Sequence, residues 1–174
     1  MKSTDHHEHT GNWVEEAVRE HEASLLRYAT RLVGDPERAR DVVQDTFVRL
    51  LKQPPERVNG HVVEWLFTVC RNRSLDVIRK ESRMSHFADG EVETVRAREP
   101  RPGHQLEATE KRDAVLAMVD RLPPNQQEVI RLKFQSGFSY KEISRITELS
   151  VSNVGFLIHT AVKRLRQEMA AQQP

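Results

Sequence analysis

The feature that most constrains this chain is a stripe of apolar residues with helical spacing between residues 39 and 51. The positions recur at i, i+3, i+4 and i+7, so a helix places them all on one face. Gly34-Asp35-Pro36 precedes the stripe as a helix-ending glycine, an N-cap and a first-turn proline, and Pro54-Pro55 ends it. The stripe consists of Ala39, Val42, Val43, Thr46, Phe47, Leu50 and Leu51. It predicts an amphipathic helix whose apolar face other helices must cover.

Similar stripes on either side of this helix predict a helical domain over residues 12–85. One runs from Val14 to Leu32 and another from Val63 to Ile78, with short connections between them. Seven glycines and two tyrosines are few for a β-protein of 174 residues. We therefore predict an all-α fold whose first domain consists of three packed helices.

A second helical domain is predicted over residues 110–174. Apolar spacing indicates helices near 106–121 and 126–135, and Ser139 and Glu142 have the spacing of a capping box that starts a short helix. Ser150 then caps a last helix, whose predicted buried residues are Val151, Val154, Ile158, Ala161 and Leu165. A short helix, a tight turn and a longer helix form the helix-turn-helix pattern.

Residues 86–109 separate the two domains. This stretch contains two prolines, two glycines and five acidic against three basic residues, and its apolar residues follow no regular period. Such a composition cannot bury enough surface to offset the entropy lost on ordering. We therefore predict a flexible linker over 86–109 that joins the two small helical domains. For the same reason we predict a disordered tail over 1–11.

Charge is segregated along the chain, although 27 basic and 26 acidic residues leave a net charge of +1. That total excludes a uniformly basic, nucleic-acid-coating surface. Residues 121–174 nevertheless hold eight basic and four acidic residues, which favours DNA binding by the helix-turn-helix. Its outward positions are Ser152, Asn153, Phe156, His159, Thr160 and Lys163, with Arg164 and Arg166 further along for phosphate contacts. The alternative is an ordinary helical hairpin with a solvated face.

Two other helices carry candidate binding surfaces. The third helix combines aromatic residues with basic ones, a combination that suits unstacked single-stranded bases and their phosphates. These residues are Trp65, Phe67, Arg71, Asn72, Arg73, Arg79, Lys80 and Arg83. The second helix presents an outward row of Asp41, Gln44, Asp45, Val48 and Arg49 that could dock a partner. In both cases a solvated outer face over a packed core is the alternative.

Little in the sequence indicates catalysis, cofactors or membranes. There is no P-loop, no G-x-G-x-x-G and no H-E-x-x-H, so we predict neither an enzyme nor a bound cofactor. Cys70 lies on an apolar stripe and is expected to be buried, and the His6-His7-Glu8-His9 run lacks the preset geometry of a metal site. No apolar run approaches the roughly 18 residues of a membrane span, so no membrane insertion and a cytoplasmic location are expected.

Four segments together resemble the extracytoplasmic-function group of bacterial sigma factors, in the order and spacing of that family. They are Asp41–Leu50, Trp65–Asn72, Leu122–Glu128 and Gly137–Ile143. The resemblance implies that residues 12–85 form sigma region 2 and residues 110–174 form sigma region 4. It also implies core RNA polymerase and promoter DNA as partners, and an anti-sigma factor as regulator.

The resemblance assigns specific roles. Asp41, Gln44, Asp45 and Arg49 would dock on the β′ clamp helices, while region 4 would meet the β flap. The loop Lys52–Val62, with Asn59 and Gly60, would capture a flipped base of the −10 element. Arg71, Asn72, Arg73 and Arg79 would contact the melted strand, and Ser152, Asn153, Phe156, His159, Lys163 and Arg164 would read the −35 element.

The recognition helix departs from the family at residues 152–157. Gly155 and Leu157 stand where the family usually has a lysine and an arginine, so the usual −35 preference is not expected to carry over. Asn153 suits adenine and Phe156 suits a thymine methyl, although Phe156 could equally pack on a protein partner. Two other functions stay open at this stage: a classical helix-turn-helix regulator that binds duplex DNA without polymerase, and an adaptor that binds no DNA.

Overall fold

The computed structural model describes the backbone of residues 5–87 and 108–171, and the side chains of residues 13–84 and 112–171. Within these ranges the chain is helical and forms two compact units. The first contains α1 (Asp5–Val33), α2 (Pro36–Leu51), α3 (Pro55–Val58) and α4 (Val62–Phe87). The second contains α5 (Ala108–Asp120), α6 (Pro124–Phe134), α7 (Tyr140–Thr147) and α8 (Val151–Ala171). The predicted all-α fold with two helical domains is thus confirmed.

The boundaries of α2 are fixed by the signals that predict them. Gly34 adopts φ +74°, which an L-residue rarely adopts, and ends α1. The Asp35 carboxylate accepts hydrogen bonds from the backbone N–H groups of Glu37, at 2.8 Å, and Arg38, at 3.3 Å. Pro36 occupies the first turn, where its missing N–H costs nothing.

The core of the first unit lies where α1, α2 and α4 meet. Leu25, Leu50 and Leu66 are completely buried there, and the Phe67 ring packs against Tyr28 with centroids 5.1 Å apart. Thr46 and Ser74 are also completely buried, but each hydroxyl donates to the carbonyl four residues earlier at 2.8 Å. These internal hydrogen bonds remove the cost of burying the hydroxyls.

Cys70 belongs to the same core. Its side chain is completely buried, as the sequence predicts. Burial raises the pKa of its thiol to about 12, although hydrogen bonds from Ser74 and Thr46 partly oppose that rise. The thiol is therefore protonated at neutral pH and behaves as a small apolar group.

The second unit packs α5, α6 and α7 around α8. Val129, Leu132, Ile143, Ile146 and Val154 form its completely buried centre. One charged side chain is also inside: Arg131 is buried and pairs with Asp120 at the end of α5. A buried charge needs such a partner because its desolvation is otherwise too costly.

Several boundaries differ from the sequence-based ones. α1 begins at Asp5, inside the tail predicted for residues 1–11, while residues 1–4 lie outside the described part. α4 extends two residues into the predicted linker, and α5 begins two residues after the start of the helix predicted near 106–121; residues 88–107 are not described. Once a helix is nucleated, each further residue adds a backbone hydrogen bond, which favours extension of the helix beyond its apolar stripe. α6 begins two residues early, with Pro124 in its first turn and no side-chain cap.

The N-cap of α2 gives a direct stability test. We expect Asp35→Ala to lower the free energy of unfolding by about 1 kcal/mol, because two backbone donors lose their acceptor. Urea unfolding followed by circular dichroism measures this change. Glu22→Ala, which removes an exposed carboxylate from the interior of α1, should change stability by less than about 0.5 kcal/mol. Equal losses in both variants would contradict the capping role of Asp35.

Candidate functional site

The outer surface of α2 carries the four residues predicted to dock on polymerase. Burial of one face of this helix leaves Asp41, Gln44 and Arg49 exposed, and Asp45 is half-buried. Two apolar side chains lie on the same outer surface: Val48 is 46% exposed, and Leu51, which the sequence places on the covered face, is 54% exposed. A mixed polar and apolar surface of this kind resembles the rim and centre of a protein interface.

Asp45 does not face solvent freely like its neighbours. It accepts a hydrogen bond from Nε of Arg49 at 3.0 Å and pairs with Nε of Arg73, on α4, at 2.5 Å. Partial burial raises the pKa of Asp45, but the Arg49 hydrogen bond and the charges of Arg73 and Arg49 outweigh it, so the pKa is lowered overall. The structure thus joins residues that the sequence assigns to two separate surfaces. Helical periodicity cannot reveal a contact between two different helices.

The segment between α2 and α4 is more ordered than the predicted loop over Lys52–Val62. It contains α3, whose Val58 is 1% exposed and anchors the segment in the core. Asn59 and Gly60 follow directly and are both exposed, with Gly60 at φ +80°. His61 continues the exposed surface and places Nδ1 3.2 Å from the carbonyl oxygen of Asn59. The buried Val58 thus fixes this segment to the core, while the residues that follow it, Asn59, Gly60 and His61, form an exposed tip.

The outward residues of α4 divide by exposure. Asn72 and Arg79 are exposed, whereas Arg71 and Arg73 are half-buried. Phe67 is 1% exposed and belongs to the core, so it cannot stack on a nucleic-acid base. The sequence allows Phe67 to be either a base-stacking residue or a core residue, and the structure shows that it is a core residue. Trp65 is half-buried, near the start of the helix.

The helix-turn-helix in the second unit has the local geometry that its sequence predicts. Ser139 and Glu142 form a reciprocal capping box at the start of α7, and the hydrogen bonds from Ser139 lower the pKa of Glu142. Glu148 adopts a left-handed conformation with φ +62° in the turn, and the Ser144 hydroxyl donates to the Leu149 carbonyl at 2.5 Å. Ser150 then caps α8 by accepting from the Asn153 N–H at 3.2 Å.

The outward row of α8 is free of the core along its length. Val154, Leu157, Ile158 and Ala161 are buried on one side. On the other side the six candidate −35 residues, Ser152, Asn153, Phe156, His159, Lys163 and Arg164, are all exposed. Phe156 is 66% exposed and is therefore available for contact with another molecule. Two of the predicted buried residues are not buried: Val151 is 44% exposed and Leu165 is half-buried.

Gly155 lies beside an aromatic side chain that the sequence analysis did not single out. A Cβ built on Gly155 would lie 3.6 Å from Cε2 and 3.8 Å from Cδ2 of Tyr140. The ammonium of Lys133 lies 5.5 Å from the centre of the same ring. The tyrosine ring therefore occupies the region into which a longer side chain at residue 155 would extend. The capping box predicts that α7 begins at Tyr140, but it does not predict that the Tyr140 side chain lies beside Gly155.

The described part of the chain contains neither a cluster of metal-ligating side chains nor a helix suited to span a membrane. Across its described side chains, no three His, Cys, Asp or Glu residues converge on a common point where a metal ion could sit. The side chains of His6, His7, Glu8 and His9 lie outside that part. Within residues 5–87 and 108–171 no helix has both the length and the hydrophobicity that a membrane span requires.

Comparison with known proteins gives a consistent result. The family "Sigma-70 region 2" matches residues 17–84, and "Sigma-70, region 4" matches residues 112–165. The ECF RNA polymerase sigma factor EcfG of Rhodopseudomonas palustris is 34% identical over 85% of this chain and 78% of its own length. SigE of Mycolicibacterium smegmatis is 29% identical over 90% of this chain, which spans 61% of SigE.

A solved structure shares the fold. The sigma factor RpoE of Bartonella quintana, determined in complex with the anti-sigma factor NepR, matches with a TM-score of 0.70 at 23% identity. The match covers 91% of this chain and 98% of RpoE.

The chain belongs to the extracytoplasmic-function sigma factors of the sigma-70 family, as its motifs predict. Its two helical units correspond to regions 2 and 4. Membership makes core RNA polymerase and promoter DNA its partners and transcription initiation its process. The family consists of initiation factors rather than catalytic enzymes.

The space around Gly155 predicts opposite effects of alanine at two glycines. Gly155→Ala should raise the free energy of unfolding by up to about 1 kcal/mol, because alanine favours the helix and its Cβ makes ordinary contact with Tyr140. Gly137→Ala should lower it, since Gly137 has φ +76°, a strained conformation for alanine. Thermal unfolding of the two variants and of the unaltered protein measures both changes in stability. Destabilisation by Gly155→Ala would show that the tyrosine ring cannot accept a methyl group.

Proposed function

We propose that this sigma factor acts through two separate promoter contacts, with α8 reading the −35 element as duplex and α3–α4 holding the melted −10 strand. The observation that carries the proposal is the exposure of two polar rows, one on each unit, above fully packed cores. Each contact alone is weak, and tethering raises the effective concentration of the second once the first has formed. Polymerase then sets the separation of the two contacts and performs nucleotide addition.

The −10 contact is proposed at the exposed tip formed by Asn59 and Gly60 and along α4. Gly60 lacks a side chain and Asn59 carries an amide that can hydrogen-bond to a base edge. Asn72 and Arg79 are exposed on α4, where the following nucleotides would pass. Capture of an extruded base offsets part of the cost of unstacking its neighbours, which favours melting.

The −35 contact is proposed for the exposed row of α8. Asn153 can pair with adenine through two hydrogen bonds, and Phe156 can contact the methyl group of thymine. Lys163 and Arg164 lie two turns or more beyond these residues, where they suit phosphates.

The proposed function also includes docking on polymerase and control by an anti-sigma protein. Asp41, Gln44, Asp45 and Arg49 would bind the β′ clamp helices, and the second unit would meet the β flap. An anti-sigma protein would cover these surfaces, as a factor of that class binds RpoE of Bartonella quintana. The site of action would be the cytoplasm, where the polymerase acts.

Run-off transcription with sigma-free core polymerase and a library of promoter templates tests this function. We expect transcripts that depend on the protein and start at a defined set of templates. Tight binding to duplex DNA without polymerase, together with no initiation, would support a classical helix-turn-helix regulator instead. Absence of both activities would contradict any role in promoter recognition.

The docking assignment predicts a loss of polymerase binding. The double variant Asp41→Ala, Gln44→Ala should weaken capture by core polymerase about thirtyfold, because two side chains near the centre of an interface contribute about 1 kcal/mol each. Pull-down titration with immobilised core polymerase measures the affinity, and circular dichroism checks the fold. Glu22→Ala, on the exposed surface of α1, should bind as the unaltered protein does. Unchanged capture by the double variant would exclude this face of α2.

The −35 assignment predicts a change in base preference. Asn153→Ala should relax discrimination at one base pair by about 1–3 kcal/mol, because a bidentate contact is lost. Lys163→Ala should instead weaken all sequences alike and reduce the salt dependence of binding. Initiation from templates randomised over the −35 element, followed by sequencing, distinguishes the two patterns. An unaltered preference in Asn153→Ala would remove that residue from the reading set.

A further inference from the structure

Five charged side chains form a continuous chain from the surface of α2 to the surface of α4. Their charges alternate, and the chain runs through Arg49, Asp45, Arg73, Asp76 and Arg79. Neighbouring charged groups are separated by 3.0, 2.5, 3.7 and 3.6 Å in that order. Two of these residues belong to the proposed polymerase surface and two to the proposed −10 surface. The two surfaces therefore share one electrostatic network.

Arg73 occupies the middle of the network and differs from Arg79. Its side chain is 35% exposed, against 66% for Arg79, and its Nε is buried. Carboxylates of Asp45 and Asp76 lie on either side of its guanidinium, at 2.5 and 3.7 Å. A DNA phosphate that approached Arg73 would have to compete with both carboxylates. Arg73 is thus a poor strand contact in the free protein, although its position on α4 is suitable.

Asp45 is the carboxylate that holds Arg73 most closely. Two arginines surround it, and together they keep its pKa below the ordinary value despite partial burial. Asp45 therefore stays ionised at neutral pH and neutralises part of the positive charge that α4 offers to DNA. Asp45 lies on α2, so this neutralisation depends on a residue of the proposed docking surface.

We propose that Asp45 masks Arg73 in the free protein and that engagement of Asp45 or Arg49 by a protein partner releases Arg73 for the −10 strand. The inference rests on the proposed function, because it takes α2 as the docking face and α4 as the strand-binding face. By thermodynamic linkage the effect is reciprocal, so a bound strand that draws Arg73 away also makes Asp45 more available to the partner.

Strand binding by the free, full-length protein tests the masking. The probe is a short, fluorescein-labelled, single-stranded DNA of mixed sequence, and anisotropy at low salt gives the affinity, since salt screens surface charges. Asp45→Asn should bind this probe about threefold more tightly than the unaltered protein, which is the size expected for a partly exposed ion pair. Adding Arg73→Gln to Asp45→Asn should abolish the gain.

Glu81→Gln is the matched control. Glu81 forms a second ion pair between α2 and α4, with Arg38, and has a similar exposure of 39% against 36% for Asp45. Both variants remove one negative charge and one contact between the same two helices, but only Asp45 pairs with Arg73. Glu81→Gln should therefore raise strand affinity less than Asp45→Asn does. Circular dichroism melting checks that both variants keep the fold.

The outcomes separate masking from the proposed function. An equal gain in Asp45→Asn and Glu81→Gln would overturn the masking, as would a gain that survives the Arg73→Gln replacement. If the unaltered protein binds the strand with core polymerase present, but Asp45→Asn shows no gain without it, the masking alone is overturned. If no variant binds the strand even with core polymerase, the proposed −10 function falls as well.

Discussion

The structure depends on one constraint: each amphipathic helix has a single apolar face, and that face must be covered by other helices. In α2 the buried residues Ala39, Val43 and Leu50 fix the rotation of the helix about its axis. That rotation alone decides that Asp41 and Gln44 face outward. In α8 the burial of Val154 and Ile158 does the same for Asn153 and Phe156. The packing of the core therefore sets the outward direction of these candidate site residues.

Much of this arrangement follows from the sequence because its signals are local. The cap at Asp35, the capping box of Ser139 and Glu142, and the cap at Ser150 involve residues within three positions of each other. The exposed rows follow from periodicity within one helix. Contacts between helices carry no such signal, and so the pairing of Asp45 with Arg73 could not be predicted. The burial of Val58 belongs to the same class, because a single apolar residue in a polar loop does not show what covers it.

For the candidate site residues, the sequence predicts the location of a side chain but not whether other side chains already pair with it. The sequence indicates which residues lie on the surface of α4, and the structure shows that their availability differs. Arg79 is 66% exposed and pairs with one carboxylate, whereas the less exposed Arg73 pairs with two. In α8, the sequence shows that Gly155 is unusual, and only the structure shows that Tyr140 lies beside it. A list of basic residues thus overstates the positive charge that a nucleic acid meets.

The opposite rows of α8 also limit how such a helix can change. Each residue advances an α-helix by about 100°, so one inserted residue after Asn153 would turn every later side chain by that angle. His159 and Lys163 would lose their outward direction, and apolar residues such as Ile158 would leave the core. A one-residue insertion or deletion there would therefore disrupt the packed face and the exposed row together. The exposed row of α8, which we propose reads the −35 element, can therefore vary without loss of packing by exchange of one exposed side chain for another.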